Sequence, residues 1–253
     1  MKFLLCLLPL LLFQLESQAA SVTRFAAASS MQFALGEIVD EFRRQTQHTV
    51  SITYGSSGNF RRQIMQGAPF ELFLSADESY VEALHAAGLT LDAGRVYALG
   101  RLALMVPLQS NIELRADMSG LREALERGEI SHFAIANPDH APYGRAAREA
   151  LQSSKLWQLI QPFLLRAESA SQAAQFAISG SSQGGIIPYG LAGSARLAEQ
   201  GNSVLLSSEL HGPIRQRMVL IKGSGEIAQQ FYAFLGSESG FEILRRHGFE
   251  IPP

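Results

Sequence analysis

At 253 residues, 47% of them hydrophobic, the chain has room for one large domain or two small lobes around a well-filled core. A formal net charge of −2 gives no general attraction to phosphate backbones, which argues against nucleic acid as a partner and means that any bound anion must be held locally. The single cysteine is Cys6, so disulfides and thiolate metal sites are excluded from the rest of the chain.

Residues 1–20 read as an export signal. Lys2 supplies the positive start, 3–13 is an apolar run too short to span a bilayer, and 17–20 offers small residues suited to cleavage. The mature protein is therefore expected outside the cytoplasmic membrane, in a bacterial periplasm, with no membrane insertion after cleavage.

From residue 22 a short strand is expected to run into Ser29-Ser30, followed by a helix with apolar residues at helical spacing over 33–42. Ser29 with Gln32 fits a capping box and puts Ser29 at a helix start. A strand over 49–54, a Gly55-Ser56-Ser57-Gly58 turn and a helix over 59–66 come next, and Gly67-Ala68-Pro69 stops that helix before a strand over 70–75. A helix near 78–87 ends at Gly88. Leu102–Pro107 is continuously apolar, as in a strand buried on both faces of a parallel sheet. Further on, a helix near 120–127 leads to a strand over 132–136, the segment Asn137 to Gly144 and a helix near 145–151. Ser169 with Gln172 is a second capping-box match, opening a helix through Ile178. Strands over 185–189, 203–206 and 218–221 and helices over Glu226–Leu235 and 240–247 complete the pass. Strands alternate with helices throughout, which predicts an α/β protein with mostly parallel sheets.

In such sheets ligands bind at the carboxyl ends of the strands, where helix N-termini converge. The unpaired N–H groups of a helix start can hold an anion when a hydroxyl-rich turn leads into it. Ser29, Ser57, Tyr143 and Ala170 all stand at or near such points. Several charge-assisted donors at roughly 1.5–3 kcal/mol each are enough for micromolar anion binding without a cationic side chain. Arg61, Arg62 and Arg145 lie nearby but read as solvated. Gly180-Ser-Ser-Gln-Gly184 satisfies the G-x-S-x-G pattern of a hydrolase, with Ser182 as nucleophile. That elbow needs a strand before it and a helix after it, and here the order is reversed. The six histidines show no paired ligand spacing.

Four stretches carry a more specific signal: Phe25-Ala-Ala-Ala-Ser-Ser30, the segment from Tyr54 to Asp77, Ala136-Asn-Pro-Asp-His-Ala-Pro-Tyr-Gly144 and Arg246-His-Gly-Phe249. Together, and in this order, they resemble the periplasmic molybdate-binding proteins that deliver substrate to ABC importers. The resemblance implies a non-enzymatic solute-binding protein with a two-lobed periplasmic-binding-protein fold (type II) and a ligand cleft between the lobes. It implies lobes of 21–103 with 213–253 and of 104–212, joined by segments near 100–107 and 211–219. The implied ligand is molybdate or tungstate, bound as the intact oxyanion with no direct metal ligand and no cofactor; sulfate or another oxyanion is the alternative. The implied partner is the membrane permease of an ABC importer, served by a monomer. Ser29 and Ser57 match serines that give hydroxyl and backbone donors, Tyr143 and Ala170 match backbone N–H donors, and Ser30 matches a position used in some relatives. A tyrosine that closes the site in part of the family falls on Pro188, with Tyr189 one step beyond.

Overall fold

The computed structural model describes residues 23–252, and the expected signal segment lies outside them. The protein is an α/β molecule of two lobes, each built on a five-stranded sheet. The first sheet contains β1 (Arg24–Ala28), β2 (Ser51–Gly55), β3 (Leu72–Ser75), β4 (Arg95–Gly100) and β10 (Ile214–Leu220). The second contains β5 (Leu102–Pro107), β6 (Phe133–Ala136), β7 (Leu164–Ala167), β8 (Gly185–Pro188) and β9 (Gly201–Leu205). Their strand orders are β2-β1-β3-β10-β4 and β7-β6-β8-β5-β9, one pattern used twice.

Four of the five strands in each sheet run the same way, as the expectation of mostly parallel sheets has it, and one strand in each is reversed. In each sheet three strands are parallel neighbours, while β10 in one and β5 in the other run antiparallel to both flanking strands. Leu102–Pro107 is buried almost throughout, as its apolar run predicts, but the burial comes from helices on both faces and not from parallel pairing. β5 enters directly from the other sheet and so runs against the βα units around it. The sheet changes at Arg101, between Gly100 and Leu102, so Leu102 and Ala103 pair within the second sheet rather than the first. The return crossing lies between β9 and β10.

Alternation along β1 shows how the first lobe fills. Phe25 and Ala27 face a core shared with Leu35, Ile38, Phe42 and Phe231, and Ala26 faces a second core with Phe60, Phe73 and Val219. Phe231 lies 4.9 Å from Phe25 and 5.1 Å from Phe42 between ring centroids, within the range of favourable aromatic pairing. These rings belong to β1, to α1 (Gln32–Thr46) and to α10 (Glu226–Leu235), so the C-terminal segment closes the N-terminal core.

The remaining helices are α2 (Ser57–Met65), α3 (Glu78–Ala86), α4 (Ser119–Glu126), α5 (Pro142–Ser153), α6 (Trp157–Ile160), α7 (Ala170–Ile178), α8 (Tyr189–Ala192), α9 (Ala195–Ala198) and α11 (Glu238–Arg246). Of the starts that differ from expectation, three concern residues singled out in the sequence. α2 begins at Ser57, so Ser57 is a helical residue and not part of the turn before it. α5 begins at Pro142, whose fixed φ suits a first helical position. Tyr189 begins α8 instead of ending a strand.

Candidate functional site

Helix starts from both lobes meet at one small buried space. Ala28, Ser29, Ser30, Gly55, Ser56, Ser57 and Ala76 line it from the first lobe, and Ala141, Pro142, Tyr143 and Ala170 from the second. All five residues singled out in the sequence therefore face a common cavity. No charged side chain is in its wall. The enclosed volume is about 10 Å³, near the least that holds one water molecule. A four-oxygen anion needs more room than that.

The serines are held with their donors available. Ser57 Oγ accepts from the Ala76 N–H at 3.0 Å, and Ser29 Oγ accepts from the Ser171 N–H at 3.1 Å. An N–H on one side of a hydroxyl oxygen occupies a lone pair and leaves the O–H free to donate elsewhere. Ser29 and Ser57 are 1% exposed each, so the cavity is the place where those protons can find an acceptor. The first N–H groups of a helix have no partner within it. Among the described residues, those of Ser57, Tyr143 and Ala170 have no acceptor elsewhere either. The wall thus offers hydrogen-bond donors from three helix starts, and the helix dipoles add positive potential.

The capping box expected at Ser29 does not form. The first turn, Ser29–Met31, is a 3-10 turn without a side-chain cap, and the Ser29 hydroxyl reaches across to the second lobe. At α7 the Ser169 hydroxyl does accept from the Gln172 N–H at 3.3 Å, while Gln172 Oε1 reaches back to the Glu168 N–H at 2.7 Å. That cap turns the Ser169 side chain onto its own helix and leaves the Ala170 N–H to the cavity.

Sequence reasoning missed the seam beside the site. Gly58 N–H donates to the His140 carbonyl at 3.0 Å. Ser56 Oγ donates to the same carbonyl at 2.6 Å and lies 2.9 Å from His140 Nδ1. Asn59 Nδ2 donates to Glu168 Oε1 at 2.5 Å, and Glu168 Oε2 stands 3.5 Å from His140 Nε2. A Cβ on Gly58 would fall 2.6 Å from the His140 carbonyl oxygen, so the close approach requires glycine. Gly58 was legible as a turn residue, but only the fold brings it to His140. Ser56, His140 and Glu168 have the composition of a hydrolase triad, yet Ser56 is 5% exposed and its proton is committed to a carbonyl.

Arg145 turns away from the cavity to pair with Asp77 and lies over the Tyr80 ring, 5.3 Å from its centroid. Arg61 also lies over that ring, 5.6 Å from its centroid, and Arg62 bonds Asn59. Neither Pro188 nor Tyr189 lines the cavity. The Tyr189 ring covers Gly248, where a Cβ would come within 2.8 Å of it. Ser182 follows α7 and precedes β8, and its hydroxyl donates to the Phe176 carbonyl at 2.6 Å. Among the described residues no group of three or more His, Cys, Asp and Glu is placed to hold a metal ion.

The chain and its fold have relatives among known proteins. Residues 23–250 match the family of bacterial extracellular solute-binding proteins. The chain belongs to that family. It is 35% identical over 234 residues to the molybdate-binding protein ModA of Rhodobacter capsulatus, covering 91% of this chain and 89% of that one. To ModA of Azotobacter vinelandii it is 30% identical over 238 residues, covering 93% and 92%. The solved structure of the Azotobacter vinelandii periplasmic molybdate-binding protein superposes with a TM-score of 0.82 at 27% identity, over 91% of this chain and all of that one. No helix among the described residues of this solute-binding protein is long and apolar enough to cross a membrane.

Proposed function

We propose that the protein captures molybdate, and tungstate with it, as an intact tetrahedral oxyanion in the periplasm and delivers it to the permease of an ABC importer. The observation that carries this reading is the wall of hydrogen-bond donors without a charged side chain, formed by helix starts of both lobes. An oxyanion accepts hydrogen bonds at every oxygen and offers none. The binding set is Ser29 and Ser57 through hydroxyl and backbone, Tyr143 and Ala170 through backbone N–H, with Ser30 at a position that some relatives use. In this reading the lobes comprise 21–103 with 213–253 and 104–212, and the change of sheet at Arg101 supports a first boundary close to there. The protein works as a monomer without enzymatic activity or cofactor, and both relatives named above are called molybdate-binding proteins.

A neutral cage also suits transport. Each donor contributes roughly 1.5–3 kcal/mol to a charged acceptor, and opening the lobes withdraws several at once. Fixed donors favour one anion size, because a smaller anion leaves some unpaired at about 1–3 kcal/mol each. Calorimetric titration with molybdate, tungstate, sulfate and phosphate tests the reading. Binding of molybdate and tungstate well ahead of sulfate is expected; equal competition by sulfate would replace it with a general oxyanion binder.

A further inference from the structure

Behind the cavity lies a polar contact between the lobes that the donor set does not include. Tyr143 lines the site from α5, its phenol oxygen reaches Gln216 and Gly100 of the first lobe, and the residue is only 3% exposed. Gln216 on β10 is fully buried, and its Nε2 donates to Tyr143 Oη at 3.3 Å. Burial holds the Tyr143 phenol above its ordinary pKa, offset in part by the Ser30 hydroxyl beside it. The phenol oxygen rests directly over Gly100, the last residue of β4, where a Cβ would fall 2.1 Å from Oη and 2.8 Å from Cζ. Gly100 pairs with Ile214, two residues before Gln216, at the point where the chain crosses between the lobes. The register then skips Tyr97 between Gln216 and Arg217, a bulge of the kind that re-aims side chains next to functional sites.

We propose that Tyr143 is a positioning residue whose phenol pins the second lobe to the crossing strands, with Gly100 as its seat and Gln216 as its hydrogen-bond partner. The pin fixes the Tyr143 N–H at the cavity whenever the lobes close, and it rests on the oxyanion reading of that cavity. Ring and backbone of one residue thereby link the site to the hinge. When the lobes part, Gln216 is free to be hydrated, so loss of the phenol oxygen weighs on the closed form alone. A residue with a merely structural role would instead lower the stability of the ligand-free protein.

The test compares wild type with Tyr143→Phe, Gly100→Ala and the double variant, by molybdate calorimetry and by thermal melting without ligand. Each single variant is expected to weaken molybdate binding about tenfold while the ligand-free melting temperature stays within about a degree. Gly100→Ala should cost less in the Tyr143→Phe background, because the oxygen it collides with has gone; contacting residues show such non-additivity. Unchanged affinity in both single variants overturns the pin, as do losses matched by an equal fall in ligand-free melting. If wild type binds none of the oxyanions, the functional reading fails and the pin, which rests on it, is overturned with it; if wild type binds and the single variants bind equally well, the pin alone is overturned.

Discussion

Ser29 Oγ and the backbone N–H of Ser171 are 3.1 Å apart across the cleft, a hydrogen bond that ties the first helical turn of one lobe to the start of α7 in the other. Ser57 makes the equivalent contact inside its own lobe, to the Ala76 N–H. Both bonds aim a hydroxyl proton at the cavity, but removal of Ser29 also leaves a donor of the opposite lobe without its acceptor.

Ser57→Ala is accordingly expected to cost roughly 1.5–3 kcal/mol of molybdate binding, the value of a hydrogen bond to a charged group. Ser29→Ala should cost at least as much. Calorimetry on variants shown by circular dichroism to be folded provides the measurement, and a loss of less than threefold in both would remove the serines from the binding set.

Tyr189→Phe should change affinity less than threefold. Its ring lies over Gly248 and is absent from the cavity wall. Tyr189 starts α8, past the end of β8. If this variant proves more damaging than Ser57→Ala, the tyrosine reaches the ligand in the bound state.

Affinity should stay flat between pH 6 and 8, because no carboxylate or imidazole lines the cavity. Stability should fall on the alkaline side. Burial raises the Tyr97 phenol well above its ordinary value, with the neighbouring Tyr143 adding to the effect, and it raises Tyr143 as well. Unfolded tyrosines ionise near pH ~10. Above that pH the unfolded chain holds fewer protons than the folded one, so the stabilisation present below it is lost as pH rises. Melting temperatures between pH 8 and 11 check the sign, and Tyr97→Phe should flatten the decline.

Gly58→Ala should weaken binding by tenfold or more. The added methyl meets the His140 carbonyl and pushes the seam open just where Ser57 and Tyr143 must converge. Titration together with small-angle scattering would show reduced compaction on ligand addition; unaltered compaction would mean that the seam yields elsewhere.

Much of this architecture is readable from local chemistry. Apolar runs mark β3, β5 and β6, Gly88 marks the end of α3, and the pair Ser169 and Gln172 marks the start of α7. The candidate residues emerged because small hydroxyl residues before a helix signal unpaired donors. What stayed hidden depends on partners distant in sequence. Nothing near Ser29 tells that its hydroxyl will serve Ser171 rather than its own helix. Nothing near Leu102–Pro107 tells that its neighbours run antiparallel, because full burial gives the same apolar run in either orientation. His140 and Gln216 are ordinary polar residues until the fold buries them between lobes.

The placement of β10 also dictates an order of assembly. Every strand of the second sheet comes from one unbroken stretch, β5 to β9, whereas the first sheet has β10 wedged between β3 and β4 and its core closed by α10. A nascent or refolding chain can finish the second lobe from contiguous sequence. The first must keep Leu72–Ser75 without its β10 partner until the last forty or so residues arrive, and an unpaired apolar strand edge invites association with other chains. A chain cut short before Ile214 would lose more than a terminus: it would carry a half-built sheet with a sticky edge, and only the lobe encoded in the middle of the sequence would be complete.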